Sequence, residues 1–344
     1  MSLEFRHIAH AYTGRAGRVE ALQDIIFTAP SGKITCLLGA SGSGKSTLLN
    51  LAAGLLDVQS GSILVDGELM AEPGLNPPPE ARPVGLVFQD GALFPHMTVA
   101  KNVGFGLSAG GNAAQIEQWL ERVGLVGLGT RFPHELSGGQ QQRAALARAM
   151  APEPQVLLMD EPFASVDIVL RRRLRRDCRR LLRDAKTTTI LVTHDPEEAL
   201  DIADHIAVME DGHIVQLGTP EDLHERPASA SVGAIFGGAQ VVTARREGDV
   251  LFTSLGMWPL SCIAGDVPDS SELDLLVHAE ALACVENEEG LAVVDVHPLG
   301  VASRLLLQAA EGEEITVQST ASVQEGTRYR VEPYERSVRA FART

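Results

Sequence analysis

The sequence predicts an α/β domain built on a largely parallel sheet, followed by a smaller all-β domain. Short apolar runs alternate with segments of helical period over the first two thirds of the chain. From Asp249 onward, short β-type runs are separated by polar turns and little helical period remains. The length of 344 residues matches two domains at roughly 150 residues each. The Gly237-Gly238 pair marks the boundary, which predicts domains over 1–237 and 238–344.

Each element follows in order. Ile34–Leu38 reads as a buried strand, and the segment from Leu48 to Leu56 has helical apolar period. Val84–Phe88 is a second strand, and residues 90–150 form a helix-rich subdomain. There Ile116, Leu120 and Val123 share one helix face, with Glu117 and Glu121 turned away. Val156–Met159 and Thr188–Thr193 are further buried strands. Ile206–Met209 and Ile214–Leu217 flank Glu210-Asp211-Gly212 as a hairpin. In the last domain the β runs are Leu273–Val277, Leu291–Val296, Ser303–Leu307, Glu314–Val317 and Tyr329–Val331, the pattern of a small antiparallel barrel.

Composition narrows the function classes. Acidic residues outnumber basic ones 45 to 29, for a net charge of −16, so a nucleic-acid partner is not expected. Residues 239–344 hold 17 acidic residues, 8 arginines and no lysine, which argues against an oligonucleotide-binding barrel. No apolar run approaches the roughly 18 residues of a membrane span. The opening segment from Met1 to His7 is charged at once and predicts no secretory leader, hence a cytoplasmic protein. Cys36, Cys178, Cys262 and Cys284 show no paired spacing, and with His278 and His297 they suggest neither a disulfide framework nor a metal site. The arginines in 171–183 surround an apolar stripe of Leu170, Leu174, Cys178 and Leu181, which reads as a solvated helix face.

The chemistry starts at Gly39-Ala40-Ser41-Gly42-Ser43-Gly44-Lys45-Ser46-Thr47, between the first strand and the first helix. This is the context of a phosphate-binding loop. Its glycines let successive N–H groups turn onto phosphate oxygens, and the helix N-terminus adds positive potential. Lys45, one of only four lysines, supplies a charge for β- and γ-phosphates, and the Ser46 hydroxyl can complete a Mg²⁺ shell. The strand Val156–Met159 ends in Asp160-Glu161, two carboxylates at the edge where open α/β sheets bind ligands. Asp160 suits Mg²⁺ and Glu161 suits polarising an attacking water. Between these landmarks, Leu136-Ser137-Gly138-Gly139-Gln140-Gln141-Gln142-Arg143 heads a helix, with Ser137 as cap and exposed N–H groups at its positive end. It is a second anion site.

With these motifs the sequence resembles the ATP-binding-cassette (ABC) ATPases, over roughly residues 1–237. The resemblance implies a P-loop α/β cassette with a helical subdomain, binding ATP and Mg²⁺. It implies that Tyr12 stacks on adenine, that Gln89 reaches Mg²⁺ and the attacking water, and that His194 contacts the γ-phosphate. Ala164-Ser165-Val166-Asp167 matches the loop that crosses a dimer interface, with Val166 in place of the usual leucine. Two chains are expected to pack head to tail, so that Ser137, Gly138, Gly139 and Gln140 of one close on the nucleotide held by Lys45 of the other.

The resemblance also implies partners. Importers of this type pair with separate integral membrane permease subunits and, indirectly, with a periplasmic binding protein. Asp90–Met97 matches the segment that grips the permease, although Gly91 stands where tyrosine is common. The C-terminal domain resembles the regulatory OB-like (TOBE) domain of importer ATPases. Pro78-Pro79-Glu80-Ala81-Arg82 and Glu161–Ser165 with Asp167 are most similar to ferric-iron importers; thiamine, polyamine and sugar importers are the alternatives. His278-Ala279-Glu280 departs from the Arg-Pro-Glu common in the iron group. A non-transport ABC ATPase would call for tandem cassettes or basic regions, and a P-loop kinase or GTPase would not need 136–143.

Overall fold

The computed structural model describes residues 1–14, 17–107, 113–164, 166, 168–236, 238–309, 312–320 and 323–343, with backbone alone at 168–170. Ser165, Asp167 and Gly237 therefore lie outside the described residues, as does the Leu170 side chain. The chain divides into two compact units, Met1–Pro220 and Glu221–Thr344.

In chain order the first unit comprises β1 (Leu3–Gly14), β2 (Gly17–Ala29), β3 (Ile34–Leu38), α1 (Lys45–Ala53), β4 (Ser60–Val65), β5 (Glu68–Ala71) and β6 (Val84–Val87). Then come α2 (Val99–Val103), α3 (Ala113–Arg122), α4 (Gly138–Met150), β7 (Val156–Asp160), α5 (Ile168–Ala185), β8 (Thr188–Thr193), α6 (Pro196–Ile202), β9 (His205–Glu210) and β10 (His213–Gly218). Six strands form one sheet in the order β10-β9-β3-β8-β7-β6, parallel from β9 to β6, with β10 returning antiparallel. Every residue of β3 and β8 is buried, as expected for strands covered on both faces. The hairpin between β9 and β10 turns at Asp211 (φ 44°) and Gly212 (φ 80°), the positive pair that matches strand twist.

A second, antiparallel sheet in the order β2-β1-β4-β5 is not apparent from the sequence pattern. Register shifts in β1 between Phe5 and Ile8 and between Ile8 and His10 break the period-two signal. Phe5, Ile8, Leu22 and Ile25 share one core with Leu48 and Leu51 of α1 and with Leu158 and Val192 of the parallel sheet. Helix α1 starts at Lys45 and stops at Ala53, short of Leu56, because Gly54 turns left-handed at φ 79°. Its last carbonyls, of Leu51 and Ala52, are taken up by buried Arg82 at 2.8 and 3.0 Å.

In α3 the expected face holds: Leu120 and nearby Val123 are buried and Ile116 half-buried, joined by Trp119. The arginine helix departs from its reading. In α5 the buried positions are Leu174, Arg175, Cys178 and Leu182, while Leu181 is half-buried. Arg175 is enclosed because three carboxylates wait for it on the far side, a relation invisible in a helical wheel.

The second unit contains α7 from Glu221 onward (helix bounds Pro220–Glu225), α8 (Ala230–Ile235), β11 (Ala239–Glu247), β12 (Val250–Thr253), β13 (Gly256–Pro259), β14 (Glu272–His278), β15 (Leu282–Pro298), β16 (Ser303–Gln308), β17 (Glu314–Ser319), β18 (Arg328–Pro333) and β19 (Arg339–Ala342). Two antiparallel sheets, β13-β12-β11-β14-β19 and β17-β16-β15-β18, enclose a common core around Trp258, Leu273, Leu275, Leu305 and Val317. Polar links join the sheets. The Trp258 indole donates to the Val331 carbonyl at 3.0 Å, and the Gln240 amide pairs with both backbone groups of Thr316. This is the expected all-β domain, with four strands (β11, β12, β13 and β19) beyond those its apolar runs indicate. All four cysteines are free.

Candidate functional site

The phosphate loop runs from the C-terminal end of β3 into α1. Gly42 and Gly44 adopt φ of 89° and 98°, the left-handed region that a side chain disfavours. A Cβ on Gly39 would lie 2.2 Å from the Met209 carbonyl oxygen, so this glycine is required by close approach instead. The Lys45 ammonium folds back into the loop, donating to the carbonyls of Gly39 (2.9 Å) and Ala40 (2.7 Å) and to Ser43 Oγ (3.3 Å). Its burial lowers the amine pKa, opposed by the negative charges of Glu161 and Asp160. Ser41 is exposed and Ser43 buried within the same loop.

Two neighbouring strands deliver acids and a histidine to the same sheet edge. Ser46 Oγ donates to Asp160 Oδ1 at 3.2 Å, placing side by side two hard oxygen atoms of the kind that could hold a divalent cation. Desolvation raises the Asp160 carboxyl pKa, with the Ser46 bond opposing it. Glu161 follows at φ 41°, a strained conformation for a non-glycine residue, pinned by its N–H on the Val192 carbonyl at 3.0 Å. From the end of β8, His194 brings Nδ1 to 3.0 Å from Glu161 Oε1. Residues over a hundred positions apart in the chain thus converge because β3, β8 and β7 are adjacent in the sheet.

Tyr12 lies on β1, 44% exposed, with its hydroxyl 3.2 Å from Thr47 Oγ1 and its ring edge-on to His10. Gln89 is exposed at the centre of a turn closed by the Gly91 N–H on the Phe88 carbonyl (2.9 Å). Arg148, near the C-terminal end of α4, donates to the carbonyls of Gly91 (2.9 Å) and Ala92 (2.6 Å) and faces the Phe94 ring. At the other end of α4, Gln140 Oε1 accepts from the Ser137 N–H at 2.9 Å. Ser137 and Gly138 are exposed there, and Gly139 is buried. The bonds made by Ser137 and Gln140 are internal to this helix start.

Sequence reasoning missed Arg175, Asp195 and Glu198 behind the histidine. Asp195 caps α6, and Arg175 bonds it while approaching Glu198 at 3.7 Å and Asp201 at 3.4 Å. The available signal was the single cap residue ahead of Pro196.

Residues 22–164 match the family model described as ABC transporter. The Fe(3+) ions import ATP-binding protein FbpC of Pseudomonas fluorescens is 44% identical over 254 residues, covering 73% of this chain and 72% of that protein. Two sulfate/thiosulfate import ATP-binding proteins CysA also match. That of Nocardia farcinica is 48% identical over 226 residues, 64% of this chain and 67% of its own. That of Bacillus cereus is 40% identical over 310 residues, 88% and 79%. Among solved structures, the ATP-binding cassette MJ0796, a dimer in a post-hydrolysis state bound to ADP and Pi, superposes with a TM-score of 0.55 at 26% identity. It covers 63% of this chain and 98% of that one. A parallel sheet edge carrying a phosphate loop, paired acids and a histidine, in a chain with such relatives, leaves one conclusion: this protein belongs to the ABC transporter family of ATP-binding proteins and is an ATP-hydrolysing cassette.

Proposed function

We propose that this ABC ATPase powers a bacterial importer, most directly one for ferric iron, by closing on ATP as a head-to-tail pair. The observation that supports it best is the convergence of Lys45, Ser46, Asp160, Glu161 and His194 at the adjacent ends of β3, β7 and β8, with Ser46 on Asp160 and His194 on Glu161. In this reading Lys45 leaves its loop carbonyls for the β- and γ-phosphates, and the N–H groups of Gly39, Ser41, Gly42, Ser43 and Gly44 surround them. Tyr12 stacks on the adenine. Glu161 polarises the attacking water and His194 holds the γ-phosphate.

Ser46, Asp160 and Gln89 would hold Mg²⁺, and the first two present oxygens that fit it. Bound there, the ion neutralises phosphate charge. Ser137, Gly138, Gly139 and Gln140 of a second copy complete the site, so ATP joins two acidic subunits that otherwise repel. A ligand that contacts both chains only when they are closed shifts the pair toward that state. Glu161→Gln should bind ATP and accumulate as a dimer in light scattering with excess ATP. A variant that stays monomeric removes the two-site scheme.

The chain is proposed to sit at the cytoplasmic face of the inner membrane against permease subunits served by a periplasmic receptor. In support, no helix among the described residues is long and apolar enough to cross a membrane, and the segment near Phe94 exposes apolar surface, with Phe105 57% exposed beside it at a ring distance of 4.5 Å. Similarity to FbpC proteins supports iron as cargo. A sulfate-type oxyanion is the second reading, favoured by the broader match to the CysA protein covering 88% of this chain. Reconstituting the complex and asking which loaded receptor stimulates ATP turnover decides between them. Lack of stimulation by ferric-loaded receptor removes the iron assignment.

A further inference from the structure

Behind His194 lies a buried charge cluster that the proposed chemistry does not use. Thr193 and Asp195, the two neighbours of His194 in the chain, are bonded to each other: the Asp195 N–H donates to Thr193 Oγ1 at 3.0 Å. The Thr193 hydroxyl donates onward to Glu198 Oε2 at 3.0 Å. Asp195 Oδ1 accepts the N–H groups of Glu197 (2.9 Å) and Glu198 (3.4 Å), fixing the start of α6. Its other oxygen, Oδ2, bonds Arg175, whose side chain is 2% exposed. The histidine ring itself is half exposed, and its contact is with Glu161. Its position is therefore set by the backbone on either side, and this cluster fixes that backbone.

The cluster extends toward the segment that follows Glu161. Arg171, one turn before Arg175 on α5, approaches Asp195 Oδ2 at 4.0 Å. The same guanidinium donates to the Val166 carbonyl (2.9 Å from Nη2, 3.3 Å from Nε) and to the Ala164 carbonyl (3.4 Å). One carboxylate is thus shared by an arginine that grips the backbone after Glu161 and by an arginine locked in the core. Such a shared ion pair is a physical connection between two loops, since moving one guanidinium alters the field and geometry felt by the other.

We propose that Asp195, held by Arg171 and Arg175, is a positioning residue that couples the Ala164 and Val166 carbonyls to His194 and thereby sets the His194–Glu161 contact. This rests on the proposed roles of Glu161 and His194. A shift of the Ala164 and Val166 carbonyls, where the second copy is expected to approach, is felt at the γ-phosphate histidine through the Arg171 hydrogen bonds, the 4.0 Å ion pair of Arg171 with Asp195, and the Asp195 cap.

The test measures steady-state ATP hydrolysis by the full-length chain with Mg²⁺–ATP. Asp195→Asn retains the helix cap, because asparagine caps as well as aspartate, but removes the charge that the two arginines share. It should lower kcat about tenfold or more while leaving KM for ATP within about twofold, the pattern of a misplaced catalytic group. His194→Ala should lower kcat further, and adding Asp195→Asn to it should cost nothing more, because the positioned group is gone. A kcat for Asp195→Asn within twofold of the parent, or losses that multiply in the double variant, overturns the proposal. Should Asp195→Asn fail to fold, Arg171→Gln decides, since its side chain is 26% exposed and Arg175 keeps its partners. It should reduce kcat several-fold with KM unchanged, and an unchanged kcat is fatal. If His194→Ala itself is fully active, the failure lies in the role given to His194, which separates the two readings.

Discussion

His194 Nδ1 lies 3.0 Å from Glu161 Oε1, although the two residues come from different strands and 32 residues separate them in the chain. Strands β7 and β8 are in register so that Asp160 faces Val192 and Met159 faces Leu191, which brings the residues following each strand to the same edge. Replacing His194 by alanine should leave ATP binding within a few-fold and reduce turnover by about a hundredfold, the scale of losing one oriented group at a reacting phosphate. Single-turnover hydrolysis alongside nucleotide binding separates the two effects, and parallel losses in both would contradict it.

Lys45 carries a different expectation. Its ammonium donates to two carbonyls and a hydroxyl of its own loop and so helps to hold the loop in shape. Lys45→Gln should weaken nucleotide binding by about ten- to a hundredfold, the value of one charge-assisted bond at roughly 1.5–3 kcal/mol. Titration with a fluorescent ATP analogue reads this directly. Binding unchanged by the substitution would remove Lys45 from the phosphate contacts.

Arg82 is the anchor of the phosphate-loop helix at its far end. It bonds the Leu51 and Ala52 carbonyls, the Pro77 carbonyl and Asn76, at the negative end of α1. Burial lowers its pKa without removing these partners. Arg82→Met should cost about 2–4 kcal/mol, because four acceptors lose a charged donor inside the protein. The urea midpoint should fall, and the amides of α1 should lose hydrogen-exchange protection first. Uniform loss of protection across the unit would argue against a local anchor.

Glu198 predicts a pH dependence of stability. Burial pushes its carboxyl up from 4.5 to about 7, against the Arg175 charge and the Thr193 hydroxyl. The folded state then binds a proton that the unfolded state has released, so its contribution is complete below about 4.5 and is lost as pH rises through about 7. Glu198→Gln keeps a side-chain oxygen for Thr193 and removes the titration. Urea unfolding at several pH values between 5 and 8 should show a shallower decline for the variant than for the parent. Identical slopes would place the titrating group elsewhere.

Much of this was legible in the chain. Ile34–Leu38 and Thr188–Thr193 are continuous apolar or β-branched runs, and their bounds agree with the observed β3 and β8 because full burial leaves no polar position to blur the ends. The phosphate loop and the Asp160-Glu161 pair were readable because their chemistry demands fixed residue types at fixed local spacing. The antiparallel β2-β1-β4-β5 sheet was not, since bulged strands with one wetted face carry a weak period. The same holds for β11, β12, β13 and β19 of the second unit, which are short or heavily polar.

The clearest division falls on α5. By itself the sequence determined that a helix rich in arginine follows the Asp160-Glu161 pair, because period and composition are local properties. It could not say that Arg175 faces inward while Arg172, Arg173, Arg176 and Arg180 meet water. That was decided when the sheet order placed α6 beside α5, setting Asp195, Glu198 and Asp201 around one guanidinium. A buried charge is tolerated only where its partners stand, and those partners lie 20 to 26 residues away in the chain. Local pattern names the elements; the adjacency of strands and helices chooses which charges are paired in the dark.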